Sequence, residues 1–87
     1  MKKISICIPC YNEEKNIHNT YEVLKRVTSR NKKYKYEYIL VDNGSEDKTG
    51  ELIRKIATKD RDVKGIFLSK SRLVFDKLLI LLVKHND

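Results

Sequence analysis

The sequence is poor in residues that interrupt a chain: one proline and three glycines in 87 residues. So few cannot build a linker or a low-complexity tract. No internal repeat is visible, so one domain at most is expected. Two cysteines, Cys7 and Cys10, are too few for a disulfide framework, and a reducing, cytoplasmic setting is expected. Long hydrophobic runs are missing as well. Ile4 to Ile8 ends at Pro9, too short for a signal core, so no secretory signal is expected. The densest apolar stretch, Leu73 to Val83, is broken by Asp76 and Lys77 and falls far below spanning length.

What is present describes a soluble globular chain: 40% hydrophobic and 36% charged residues. A chain of this size buries only about 60–65% of its unfolded surface, so its stability margin is thin. The net charge of +7 favours anionic partners: nucleotides, phospholipid head groups or nucleic acid.

The apolar pattern alternates between two periods. Ile4-Ser5-Ile6-Cys7-Ile8 reads as a buried strand. Asn12 is placed to cap a helix with Glu13 and Glu14 in its first turn, and Ile17, Tyr21, Leu24 and Val27 or Thr28 form its stripe. Tyr36 to Val41 is the second strand, followed by the turn Asp42-Asn43-Gly44-Ser45. Ser45 is expected to cap a second helix with Leu52, Ile53, Ile56 and Ala57 on its apolar face. Val63 to Leu68 is the third strand, and Lys70 to His85 is expected to be a third helix. This βαβαβα order predicts a three-layer α/β fold with an open, parallel three-stranded sheet, half of a doubly wound domain. Ligands of such sheets sit beyond the carboxyl ends of the strands. Pro9 to Glu13 and Asp42 to Ser45 occupy that edge.

Both segments resemble a known family. Ile6-Cys7-Ile8-Pro9-Cys10-Tyr11-Asn12-Glu13-Glu14 is similar to the P-x-Y-N-E opening of family 2 glycosyltransferases of the GT-A fold. Val41-Asp42-Asn43-Gly44-Ser45-Glu46-Asp47-Lys48-Thr49 is similar to their V-D-D-G-S-x-D-x-T motif, and Gly65 to Ser69 resembles the third strand of the polyisoprenyl-phosphate (dolichol-phosphate-type) branch. The resemblance spans residues 3 to about 72. It implies that Pro9, Tyr11, Glu13, Asp42 and Asn43 line a pocket for the base and ribose of a UDP- or GDP-linked sugar. Asn43 stands where the family often has a second acid, which leaves the base open. The resemblance further implies an inverting sugar transfer, with a lipid-phosphate acceptor at the membrane surface.

The family's later D-x-D motif, which would hold Mg or Mn, and its general base have no counterpart here. No catalytic residue, metal ligand or cofactor is therefore assigned to this chain, and binding without turnover is expected. Asp60-Arg61-Asp62 matches D-x-D only as a string and reads as a solvated loop at the opposite end. After Ser69 the pattern changes abruptly. Residues 1–72 are read as the nucleotide-sugar-binding part. Residues 73–87 are read as a divergent apolar helix, the product of truncation or frameshift, through which copies would associate.

Other readings compete. Cys7-Ile8-Pro9-Cys10 is a C-x-x-C string, but Cys7 falls inside a strand rather than at a helix start. Cys7 and Cys10 with His18 and His85 give no zinc spacing. Arg30-Asn31-Lys32-Lys33-Tyr34-Lys35-Tyr36 interleaves bases with aromatics, the mark of a non-enzymatic nucleic-acid or membrane-surface module. The favoured reading has no nucleic-acid partner.

Overall fold

The computed structural model describes residues 2–68 and 81–85. The elements are β1 (Lys2–Cys10), α1 (Ile17–Thr28), β2 (Tyr34–Asn43), α2 (Thr49–Lys59), β3 (Val63–Leu68) and β4 (Leu81–His85). The sheet order is β3-β2-β1-β4. β1, β2 and β3 run parallel, with Cys10 opposite Asp42 and Asp42 opposite Phe67. The α/β class and the open parallel sheet are as expected.

Strand order decides where the helices go. Both crossovers step the same way across the sheet, and right-handed crossovers then place both helices on one face. Side chains alternate along a strand, so Ile4, Ile6, Ile8 and Cys10 of β1 join Tyr38 and Leu40 of β2 on that face. There they meet Ile17 of α1 and Ile53 and Ile56 of α2 in one core. Among the described residues the other face carries no helix, so two of the three expected layers are present. Gly65 lets α2 approach β3 closely: a Cβ there would stand 2.9 Å from the Ile53 side chain.

Pro9 lies in an inner strand without breaking a ladder. β4 pairs with β1 only from Lys3 to Cys7, so the Pro9 position lies beyond it. The α1 stripe ends on Thr28, not Val27. Thr28 donates to the Leu24 carbonyl and bonds the Tyr38 hydroxyl, while Val27 is exposed.

Three local expectations are corrected. Asn12 does not cap α1; the helix begins five residues later, at Ile17, after Asn16. Ser45 does not cap α2, which begins at Thr49 after Lys48. Of the helix expected over Lys70 to His85, Leu81–His85 is instead a strand antiparallel to β1, and residues 70–80 lie outside the described residues. A β-branched and leucine-rich run serves either period, and the unpaired edge of β1 supplies backbone partners that a helix would not need. The expected boundary at residue 72 lies outside the described residues.

Asp60 is more than a solvated loop residue. Its carboxylate accepts from the Tyr21 hydroxyl at 2.6 Å and pairs with Lys25 Nζ at 2.8 Å, tying α1 to the end of α2. Burial alone would raise its pKa, but these bonds and the Asp62 N–H hold the carboxyl below the usual aspartate range. The same contact, with burial, pushes Tyr21 up to about 12.

Two outcomes follow from this packing. Leu40→Ala, at a position with 0% exposure in β2, should lower unfolding free energy in urea by about 2–5 kcal/mol. A group with a depressed folded pKa stabilises above its ordinary value, 3.8 for Asp60, and loses that contribution as pH falls through the folded value. The stability lost on acidification should therefore be smaller in Asp60→Asn than in wild type, read from urea midpoints between pH 6 and about pH 2.

Candidate functional site

The carboxyl ends of β1 and β2 stand side by side, and the two loops beyond them are interlocked. The N–H of Asn12 donates to Ser45 Oγ at 2.9 Å, that of Glu13 to Thr49 Oγ1 at 2.8 Å, and that of Glu14 to Asp47 Oδ2 at 3.1 Å. The second loop returns the pattern. The Glu46 N–H donates to Asn12 Oδ1 at 2.9 Å and the Lys48 N–H to Glu14 Oε1 at 3.2 Å. Asn12 adopts φ 51 to face the second loop, a conformation its short amide side chain tolerates. These cross-loop bonds explain the late helix starts. The N–H groups of Asn12, Glu13 and Glu14 are donated to Ser45, Thr49 and Asp47 rather than lying free at a helix start.

Asp47 is the hub. One of its oxygens receives the N–H and hydroxyl of Thr49, and the other the Glu14 N–H. Burial opposes its charge, but the bonds from Thr49 and Glu14 prevail and hold its carboxyl below the usual range. Nothing local in the sequence distinguished this role from helix capping. The partners lie 33 to 36 residues apart.

All five expected site residues come to this rim, with different exposure. Tyr11 stands out, 51% exposed. Glu13 is half-buried, and its carboxylate accepts from the Asn16 amide at 3.1 Å. Pro9 and Asn43 lie on the sheet face away from the helices, by the parity of the register. Asp42 turns to the helix side and is buried. Its Oδ1 accepts the Ser45 N–H at 3.0 Å, closing the turn in which Gly44 takes φ 74. Its other oxygen sits where a Cβ on Gly50 would be, 2.8 Å away, so only glycine lets α2 start this close.

Cys7 and Cys10 are three apart in one strand and so point to opposite faces, which is not the geometry of a dithiol pair. Burial, with Glu13 and Asp42 nearby, pushes the Cys10 thiol up to about 12. Among the described residues no three His, Cys, Asp or Glu side chains converge to hold a metal ion. Tyr34, Tyr36 and Tyr38 pack on the core side of β2. Among the described residues no helix is long and apolar enough to cross a membrane.

Parallel strands alternating with helices, and two loops joined at the carboxyl rim, define half of a doubly wound α/β domain of the GT-A type. The chain matches the description Glycosyl transferase family 2 over residues 5–75 and belongs to that family. It is 42% identical over 67 residues to the uncharacterized glycosyltransferase YkcC of Bacillus subtilis, covering 77% of this chain and 20% of that protein. It is 38% identical over 71 residues to an undecaprenyl-phosphate 4-deoxy-4-formamido-L-arabinose transferase of Pseudomonas fluorescens, covering 78% and 20%. Against a dolichyl-phosphate beta-glucosyltransferase of Homo sapiens the figures are 34% over 77 residues, covering 82% and 24%. The chain thus spans about a fifth of the length of the curated relatives it matches. No solved structure matches it.

The interlock should behave as one unit. Asn12→Ala and Ser45→Ala should each lower stability by about 1 kcal/mol, and the double variant should lose less than the sum. A double-mutant cycle by urea unfolding checks this; strict additivity would mean the loops fold independently.

Proposed function

We propose that this rim holds the base and ribose of a UDP- or GDP-linked sugar donor, as the nucleotide-binding part of an inverting glycosyltransferase. In the whole protein the acceptor would be a polyisoprenyl phosphate, as the names of the relatives suggest. The observation that carries the reading is the interlock itself. Two loops that bear the family's signatures are bonded into one wall at the ligand-binding edge of the sheet, with the Tyr11 ring left in solvent above it.

The chemistry of the wall suits a nucleoside. Tyr11 offers a ring face for a base. Pro9 and Asn43 lie on the same face of the sheet, where Asn43, only 8% exposed, would meet a base edge only if the ligand reaches into the rim. Glu13 offers carboxylate oxygens to ribose hydroxyls. Asp42 supports the wall from beneath by fixing the turn. The nucleic-acid alternative needs tyrosines free to stack, and Tyr34 and Tyr36 pack against the core instead.

Titration of 15N-labelled protein with UDP and GDP should move the amides of Tyr11, Glu13 and Asn43; a rim silent to both would sink the reading. Tyr11→Ala should weaken binding about tenfold, the scale of one base–aromatic stack. The 87-residue chain, given a nucleotide sugar and a polyisoprenyl phosphate, should transfer no sugar; product above the protein-free blank would overturn that expectation.

A further inference from the structure

The sheet order puts β3 at an edge, and among the described residues no strand pairs with its outer side. The Tyr38 N–H donates to the Asp62 carbonyl at 2.8 Å, which fixes the pattern along the strand. Backbone groups of successive residues point to opposite sides, so Lys64, Ile66 and Leu68 bond to β2 while Val63, Gly65 and Phe67 turn outward. The Val63 N–H is taken by the Asp60 carbonyl at 3.0 Å. Among the described residues, the N–H groups of Gly65 and Phe67 are left on this edge, each with its own carbonyl on the same side. Such an edge is a template for a further strand, and folds ordinarily blunt it with proline, a bulge or charge. Val63–Leu68 has no proline, and its one charge, Lys64, is held by Glu37 at 3.3 Å. Ile66 and Phe67 stand exposed on opposite faces of it.

The edge is complementary to itself. A two-fold axis at Ile66 sets two copies of β3 antiparallel, with Gly65 of one opposite Phe67 of the other. Hydrogen-bonded pairs in an antiparallel ladder exchange both N–H···O bonds, so this register uses every N–H left on the two edges. An axis at Gly65 would instead set Phe67 opposite Val63, whose N–H is already taken. On the open face, the axis at Ile66 brings the two Ile66 side chains together and Lys64 opposite Leu68. On the helix side each Phe67 ring leans over its own Gly65 and so comes beside the Phe67 ring of the second copy. No like charges stand directly opposite each other. The nearest cation is Arg54, whose guanidinium stacks 3.9 Å over the Phe67 ring, so pairing brings two of these toward the axis.

We propose that the outer edge of β3 docks a second copy of this chain, antiparallel about Ile66, joining two four-stranded sheets into one. The inference is independent of what the rim binds. Two six-residue strands fall short of a standard interface of about 1,600 Å². Each copy also carries a net +7. The pairing is therefore weak and reversible, and salt strengthens it by screening the repulsion.

Sedimentation of the full 87-residue chain from about 10 μM to about 0.5 mM should show a monomer–dimer equilibrium. The dimer share should rise between about 0.1 M and about 1 M salt. Amide exchange compared across the same concentrations should slow at Gly65 and Phe67 and stay constant at Lys64, Ile66 and Leu68, which are already bonded to β2. Ile66→Lys changes an exposed side chain and sets like charges on the axis, so it should weaken pairing about fivefold. An equimolar mixture of Ile66→Lys with Ile66→Glu should pair more tightly than Ile66→Lys alone. A chain still monomeric at about 0.5 mM in about 1 M salt would overturn the inference. So would species that grow beyond a dimer, a dimer without slowed exchange at Gly65 and Phe67, or a mixture no tighter than Ile66→Lys alone.

Discussion

The rim is built around a demand that backbone N–H groups be satisfied. Where β1 ends, Asn12, Glu13 and Glu14 leave the ladder before any helix has formed, and their donors need acceptors. The second loop supplies them through the oxygens of Ser45, Thr49 and Asp47. That exchange delays both helices, draws Asn12 to a positive φ and brings Pro9, Tyr11 and Glu13 beside Asp42 and Asn43. The register of β1 on β2 sets the loops at the same height, and the cross-bonds convert that proximity into one wall.

The broad architecture was legible because it depends on periods the sequence carries openly. Period two in Ile4, Ile6 and Ile8 and period 3.6 in Ile53, Ile56 and their neighbours survive without knowledge of what packs on them. Parity then separates residues that are adjacent in sequence. Asp42 goes under the wall and Asn43 to the opposite face; Cys7 and Cys10 part in the same way. The alternation was there to be read, but its consequence for the Asp42-Asn43 pair required knowing that β2 continues as a strand through Asn43.

What could not be read locally were the helix starts. Asn12 and Ser45 have the chemistry of caps, and a short polar side chain bonds any N–H within reach. In isolation the nearest candidates are two or three residues along; in the fold they lie more than 30 residues away. The end of the chain failed for a different reason. Leu81-Leu82-Val83 has no period that separates helix from strand, and the edge of β1 decided the matter by offering a ladder. In both cases a long-range hydrogen bond outweighed local propensity.

Charge shows the same gap between composition and placement. A net +7 points to an anionic partner for the molecule as a whole, and the strand starts and the ends of α1 and α2 carry much of it. A ligand at the rim does not meet the average. Fields decay within about 10 Å at 0.1 M salt, while the sheet is roughly three times that long. The charges nearest the rim are the carboxylates that sit in and around the interlock, with the Arg54 guanidinium close to Asp42. Asp47, Glu14 and Asp42 cannot be exchanged for lysine without undoing it, because each accepts a backbone N–H. Acidity at this rim is thus tied to its architecture.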